Sequence, residues 1–167
     1  GDVVITPTEY SSHLLAGYGI RKPVYSLSNG VDTAYFHPDP ALRASFRKRY
    51  GLGEEKVVIS VGHTIARKGL LDFLELARRM PREINDALDA APDNVMFPGY
   101  VDREQLREAY CGADVFAFLS HEETEGIVVL EALACGIPTV LRDIPVYEGW
   151  LEDGKNVYKK LNIDRFQ

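Results

Sequence analysis

Carboxylate side chains and a glycine are concentrated between residues 122 and 131 of the chain. Glu131 lies inside the apolar run IVVLEALACGI, where a buried charge costs several kcal/mol unless it is paired or solvated. Glu131 is therefore a paired structural carboxylate, a residue at a hydrated edge, or an acceptor for the hydroxyl groups of a ligand. The residues alone leave these interpretations open.

The loop before this run combines acidic residues with Gly126. A helix that begins there would present free N–H groups and a positive partial charge, which suit phosphate, and a glycine lets a ligand approach the backbone. Because Glu122, Glu123 and Glu125 share the loop, the pattern favours a ligand that also carries hydroxyl groups, such as a sugar joined to a diphosphate. An acidic turn that only stabilises its own helix is the alternative.

Arg67 and Lys68 supply positive charge in the loop that follows the apolar run KVVISVG. Arginine offers a two-pronged donor and lysine a point charge, so the pair could neutralise a diphosphate. Such a pair in a loop is more often solvated surface. Its position after a predicted buried strand favours the binding interpretation.

Strand-like and helical segments alternate, which predicts an α/β fold with a Rossmann-like, doubly wound parallel sheet. The main predicted strands cover residues 56–63, 94–101, 114–120, 138–143 and 156–160, and the main predicted helices cover residues 41–52, 69–80, 82–90, 103–113 and 127–136. Ligands of such sheets lie outside the carboxyl ends of the strands. The Arg67–Lys68 loop and the acidic loop are therefore expected to face one cleft.

One place interrupts the alternation. The predicted helices at residues 69–80 and 82–90 are separated only by Pro81. A strand is expected between them, so either this sheet has lost a unit or residues of the natural chain are missing after Met80, and the second interpretation is preferred. The chain also opens on DVVIT without an initiator methionine, and we interpret it as a piece of a longer protein.

Composition and net charge exclude some classes of protein and of site. The chain has 167 residues, a net charge of −6 and a pI of about 5.2, which argue against general nucleic-acid binding. Cys111 and Cys135 lack metal-ligand spacing and are expected to be buried thiols in a cytoplasmic protein. A basic helix (Arg43, Arg47, Lys48 and Arg49) could touch a membrane, but a solvated helix is the preferred interpretation.

Several segments together resemble the family 4 retaining glycosyltransferases of GT-B architecture. They are NGVDTAYFHP, VGHTIARKG, FPGYV, and Glu123 followed after seven residues by Glu131 and ALACGIPTV. The resemblance covers nearly the whole chain, and its Glu-seven-Glu element is the most specific part. It implies a C-terminal donor-binding half, in which residues 1–28 precede the interdomain hinge, residues 29–40 form the hinge, and residues 41–167 bind the nucleotide sugar.

The resemblance also implies a role for each site residue. Glu123 would contact the donor sugar, Glu131 the ribose, and Arg67 and Lys68 the diphosphate. The other implied contacts are the phosphate-binding backbone of Gly126, Ile127 and Val128, the base-binding segment Gly99, Tyr100 and Val101, and the neighbouring pair Gly62 and His63. The sequence departs from the family where His63 replaces an arginine and Glu125 replaces an aromatic residue.

The implied reaction is retaining transfer of a hexose from a UDP- or GDP-sugar to a lipid or glycan, without a metal or other cofactor. The stretch TEGIVVLEALACGIP, with RDIPVYEGWLEDGKNVY, further resembles bacterial enzymes that glucosylate diacylglycerol lipids. The partner would be an acceptor domain outside this chain, so the chain alone is expected to bind donor without transferring sugar. Membrane contact is expected only for the full-length protein. The alternatives are a non-catalytic nucleotide-sugar scaffold module, and phosphorolysis or epimerisation of a nucleotide sugar.

Overall fold

The computed structural model describes residues 1–79 and 94–160 and confirms the α/β class with parallel strands. The strands are β1 (Val4–Thr6), β2 (Val24–Ser26), β3 (Val58–Ile59), β4 (Val115–Phe118), β5 (Thr139–Arg142) and β6 (Tyr158–Lys160). The helices are α1 (Glu9–Ala16), α2 (Pro40–Arg49), α3 (Leu70–Arg79), α4 (Arg103–Gly112) and α5 (Ile127–Ala134), with short 3₁₀ turns at Ala66–Lys68 and Pro145–Tyr147.

The strands form two separate parallel sheets. β1 pairs with β2, and β3, β4, β5 and β6 pair in that order, with Ile59 opposite Phe116 and Phe116 opposite Thr139. Within residues 1–79 and 94–160 no strand lies beyond β3, so the order runs in one direction only. Because all these strands are parallel, the loops that follow β3 and β4 leave the sheet at the same edge.

The strand predicted at residues 94–101 is wrong, because this segment has no regular structure. An extended segment becomes a strand only where a neighbour accepts its backbone hydrogen bonds. β3 is paired with β4 on one side, and the described part of the chain places no strand on its other side. Val95 is buried, whereas Met96 next to it is exposed. The helix predicted at residues 82–90 and the break expected after Met80 lie outside the described residues.

Side-chain caps fix where the helices begin. The Asp102 carboxylate accepts the N–H of Gln105 at 2.8 Å, and the Gln105 side chain accepts the N–H of Asp102 at 3.0 Å. This reciprocal arrangement satisfies two donors that the first helical turn leaves unpaired. It sets the start of α4, and therefore the direction in which Tyr110 points from its last turn.

The core lies around β4 and the helices packed on it. Phe116 and Phe118 are buried and stack with ring centroids 5.8 Å apart, and Tyr110 of α4 meets Phe116 edge-on at 5.6 Å. Burial of each such side chain contributes about 1.5–3 kcal/mol. β4 is buried on both faces, as expected for an inner strand of a parallel sheet. No helix in the described ranges is long and apolar enough to span a bilayer.

Candidate functional site

The loops that follow β3 and β4 are joined through their backbones. The Arg67 carbonyl accepts the N–H of His121 at 2.8 Å and the hydroxyl of Ser120 at 3.2 Å. Gly69 has a φ of 73°, and a Cβ at that position would lie 2.1 Å from the Leu119 carbonyl oxygen. Only glycine fits such a left-handed, crowded position. The predicted proximity of the two loops is therefore present.

The Lys68 ammonium forms an ion pair with the Glu123 carboxylate. The two side chains are only 16% and 10% exposed, and the Lys68 nitrogen lies 5.7 Å from the centroid of the Phe118 ring. Desolvating two charges offsets much of their attraction, so this pair gives little reason to expect added stability. An ammonium has three N–H donors, however, and Lys68 can serve Glu123 and an anionic ligand together.

A shallow pocket opens beside this pair. Gly62 and His63 line it with Lys68 and the start of α3, so these three predicted site residues lie together. The Arg67 side chain is exposed and has no ionic partner in the part of the chain that the structure describes. The loop that follows β3 therefore carries one paired cation, Lys68, and one cation without an ionic partner in the described residues, Arg67.

Helix α5 begins directly after the acidic loop. Gly126 starts it with a φ of 82°, and no side chain in residues 1–79 or 94–160 caps it. The N–H groups of Ile127 and Val128 belong to the first turn, which has no acceptor within the helix. The predicted phosphate-binding backbone is thus available as a set of donors. Its assignment to phosphate stays a prediction.

Glu131 has a partner and retains an acceptor. The Tyr110 hydroxyl donates to its Oε2 at 3.1 Å, whereas its Oε1 accepts no hydrogen bond from a described residue. Burial raises the pKa of Glu131, although the Tyr110 bond and the Arg103 charge act in the opposite direction. The carboxylate is therefore supported by the protein and still able to accept hydroxyl groups of a ligand.

The predicted base-binding segment directly precedes α4. Gly99 has a φ of 79°, Tyr100 is 96% exposed, and Val101 is partly buried. In the described residues, no hydrogen bond or ion pair joins this segment to the Lys68–Glu123 pair. The described residues therefore show no direct polar contact between this segment and the Lys68–Glu123 pair.

The partners of two further residues at this edge, Glu125 and His121, were not predicted from the sequence. Glu125, expected to crowd the acidic loop, is only 2% exposed and turns inward to Ser28 and Asn29. The Nε2 atom of His121 lies 3.1 Å from the Asp72 carboxylate, which also pairs with Arg142 at the end of β5. Hydropathy patterns give no signal for such pairs, because their partners are distant along the chain.

The family described as Glycosyl transferases group 1 matches residues 85–167. A processive diacylglycerol alpha-glucosyltransferase of Acholeplasma laidlawii is 42% identical over 183 aligned positions, which cover 99% of this chain and 55% of the relative. The chain belongs to the group 1 glycosyltransferases. An alpha-galactosylglucosyldiacylglycerol synthase of Streptococcus pneumoniae is 30% identical, with 90% of this chain and 46% of that protein covered.

Solved structures place the fold among GT-B glycosyltransferases. HepE of Anabaena, solved with UDP-glucose, superposes with a TM-score of 0.83 at 20% identity and covers 96% of this chain and 50% of HepE. A sucrose-phosphate synthase of Thermosynechococcus elongatus gives a TM-score of 0.70 at 23% identity, covering 86% of this chain and 41% of that one. The chain spans about half the length of the curated relatives it matches.

Proposed function

We propose that this chain is the donor-binding half of a retaining glycosyltransferase, which moves a hexose from a UDP- or GDP-sugar to a lipid or glycan acceptor. The observation that carries the proposal is the Lys68–Glu123 ion pair, which lies at the carboxyl edge of the sheet beside the uncapped start of α5. Cationic and N–H donors suit a diphosphate, and the carboxylate suits sugar hydroxyls.

The residues would act on the departing nucleotide. Negative charge develops on the diphosphate as the bond to the sugar breaks, and preorganised donors stabilise that charge. Lys68, Arg67 and the first N–H groups of α5 would supply them, while Glu123 orients the sugar and Glu131 accepts the ribose hydroxyls. Departure and attack on one face of the sugar would retain the anomeric configuration.

The relatives support the choice of a lipid acceptor. The names of two of them include diacylglycerol, and a third, from Mycolicibacterium smegmatis, is named as a GDP-mannose-dependent alpha-(1-6)-phosphatidylinositol monomannoside mannosyltransferase. Their names specify alpha linkages, and transfer from an α-linked nucleotide sugar to an α-linked product is retention. A lipid acceptor would bring the full-length protein to the cytoplasmic face of a membrane.

An exposed apolar face supports a further domain outside this chain. Val3, Ile5, Tyr25 and Leu27 lie on one side of the two-stranded β1–β2 sheet and are between 49% and 65% exposed. Parallel sheets are ordinarily covered on both faces. An acceptor-binding domain packed here would complete the cleft, so we expect this chain alone to bind donor without transferring sugar.

Calorimetry on the 167-residue chain with UDP, GDP and their hexose conjugates tests the donor site. We expect weak binding selective for one nucleotide, and Lys68→Ala should weaken it on the order of tenfold because a charge-assisted hydrogen bond is lost. Lys48→Ala, which removes an exposed lysine from α2, is the matched control. Absence of nucleotide binding by the parent chain, or equal affinities for the parent and Lys68→Ala, would overturn the assignment.

The proposal includes a reaction without a divalent metal. Arg67 and Lys68 would supply the positive charge that a metal supplies elsewhere. Nucleotide affinity measured with a chelator and with added magnesium or manganese should be the same. A markedly tighter complex with either cation would contradict this part of the proposal and leave the site itself in place.

A further inference from the structure

Glu125 is a buried carboxylate at the centre of a hydrogen-bond network. Its side chain accepts the Ser28 hydroxyl, the Asn29 backbone N–H at 3.2 Å and the Asn29 side-chain amide at 2.6 Å. The Ser28 oxygen in turn accepts the N–H of Gly30 at 2.9 Å. A carboxylate that is only 2% exposed needs such donors, because an unpaired buried charge is strongly destabilising.

The residue before Glu125 is attached to the same side of the molecule. The Thr124 carbonyl accepts the hydroxyls of Thr8 at 2.8 Å and Ser11 at 3.1 Å, at the start of α1. The acidic loop is therefore joined to the first part of the chain at two consecutive residues. These contacts span more than 90 residues of sequence and are specific to the folded state.

The loop that Glu125 anchors carries the proposed donor contacts. Glu123, which pairs with Lys68, lies two residues before Glu125, and Gly126, which starts α5, follows it directly. Loss of the Glu125 bonds would remove one of the two sets of contacts that hold the backbone between Glu123 and Gly126. Glu125 itself does not line the pocket beside Lys68 and bonds instead to Ser28 and Asn29.

We propose that Glu125 is a positioning residue, which holds the donor-binding loop in its binding geometry by docking it on Ser28 and Asn29. This inference rests on the proposed function. It makes nucleotide affinity depend on the connector at residues 28–30, which lies outside the donor pocket. Movement of the first part of the chain would thereby be transmitted to Glu123 and to the start of α5.

Exchange of donor and acceptor between positions 125 and 29 tests the proposal. Glu125→Gln replaces a carboxylate that accepts at both oxygens by a neutral amide that accepts at one oxygen only. Asn29→Asp instead sets two carboxylates together. The double variant Glu125→Gln/Asn29→Asp restores a donor opposite an acceptor, while the remaining oxygen at position 125 can still accept from Ser28. Glu122→Gln, an exposed carboxylate of the same loop, is the control.

Two measurements on the 167-residue chain are informative. Calorimetry gives the nucleotide affinity, and amide hydrogen exchange of peptides from residues 119–128 gives the order of the loop without nucleotide. Each single variant should weaken nucleotide binding on the order of tenfold and speed exchange in the loop, since bonds to a charged group are lost. Exchange in β4 should not change, and the double variant should recover most of both losses.

The outcomes separate this inference from the function on which it rests. Failure of the parent chain to bind nucleotide would overturn the proposed function. Normal binding by the parent together with undiminished affinity in Glu125→Gln, or no recovery in the double variant, would overturn the role of Glu125 alone. Should Glu125→Gln not fold, Ser28→Ala removes a single donor and should weaken binding about threefold. Unchanged affinity in that variant would also overturn it.

Discussion

The two ends of strand β4 carry charged clusters that are paired to different degrees. At the amino end, Asp114 accepts the Arg43 guanidinium at 2.8 Å and the N–H of Val57 at 2.9 Å, and Arg47 lies 3.6 Å away. At the carboxyl end, Lys68 pairs with Glu123, but the Arg67 side chain and the first N–H groups of α5 have no partner in the described residues. The charges of the first cluster are paired with one another, and we call this the closed end of β4. The second cluster keeps donors without a partner in the described residues, and we call this the open end.

This difference separates charges that hold the fold from charges available to a ligand. Arg43 and Arg47 join α2 to the start of β4, and Arg49 pairs at 2.8 Å with the buried Glu108 of α4. Three of the four basic residues of α2 are thus engaged in packing, which favours the structural interpretation of that helix. The open donors lie where parallel α/β sheets bind ligands.

The largest expected effect concerns the backbone contact beneath the open end. Gly69→Ala would place a Cβ 2.1 Å from the Leu119 carbonyl oxygen at a φ of 73°, and neither backbone can move easily. We expect a loss of about 3 kcal/mol or more in the free energy of unfolding, measured with urea. Gly149→Ala, at a φ of 82° with open space around it, should cost only about 1–2 kcal/mol. Equal losses would show that the loop contact is not tight.

The second prediction compares the loss of one cation at each end of β4, Lys68 at the carboxyl end and Arg43 at the amino end. Lys68→Ala should weaken nucleotide binding on the order of tenfold, whereas Arg43→Ala should lower the free energy of unfolding by about 1 kcal/mol and leave nucleotide affinity unchanged. Calorimetry and urea unfolding of both variants measure the two quantities. The comparison fails if Arg43→Ala also weakens nucleotide binding, because the amino end would then contribute to the site.

The third effect is the pH dependence of the free energy of unfolding that Asp114 confers at the closed end. Burial alone would raise the pKa of Asp114, but the Val57 N–H and the charges of Arg43 and Arg47 together hold it below its usual range. A carboxylate whose pKa is lowered on folding stabilises the folded state at pH values above its ordinary pKa of about 4. This stabilisation is lost as the pH falls through the lowered pKa. Asp114→Asn should therefore reduce stability at neutral pH and flatten its decline below about pH 4.

Urea unfolding across the acid range measures this dependence. Glu54→Gln changes an exposed carboxylate and is the control. Identical acid slopes in the parent and Asp114→Asn would mean that the closed cluster contributes nothing through its charge.

The sequence was sufficient for the α/β architecture and for placing the Arg67–Lys68 loop at the same edge of the sheet as the acidic loop. Apolar runs at residues 56–63 and 114–120 predicted the strands β3 and β4, although β3 is short and has no described strand on its other side, and parallel order alone places the loops after them at one edge. The strand predicted at residues 94–101 was wrong because a strand depends on a partner, and the residues themselves give no information about whether that partner is present.

The inward position of Glu125 could not be predicted from local patterns. Three glutamates in four residues indicate an exposed acidic loop, and Glu122 is indeed exposed. Glu125 is buried because Ser28 and Asn29, almost 100 residues earlier, supply its donors. The pairing of the buried Glu125 carboxylate with these donors depends on tertiary contact, and a single sequence does not reveal it.

The smallest expected effect concerns a hydroxyl at the open end. Tyr147 is fully buried, its hydroxyl has no hydrogen-bond partner in the described residues, and burial raises its pKa, with the Glu123 charge adding to the rise. Removing an unpaired buried polar group relieves its desolvation cost, so Tyr147→Phe should leave the free energy of unfolding unchanged or raise it by up to about 1 kcal/mol. Tyr110→Phe is the matched control, since it removes a hydroxyl that is bonded to Glu131, and it should be destabilising. If Tyr147→Phe proves as destabilising as the control, its hydroxyl is satisfied in the free protein. The carboxyl end of β4 would then be closed there as well.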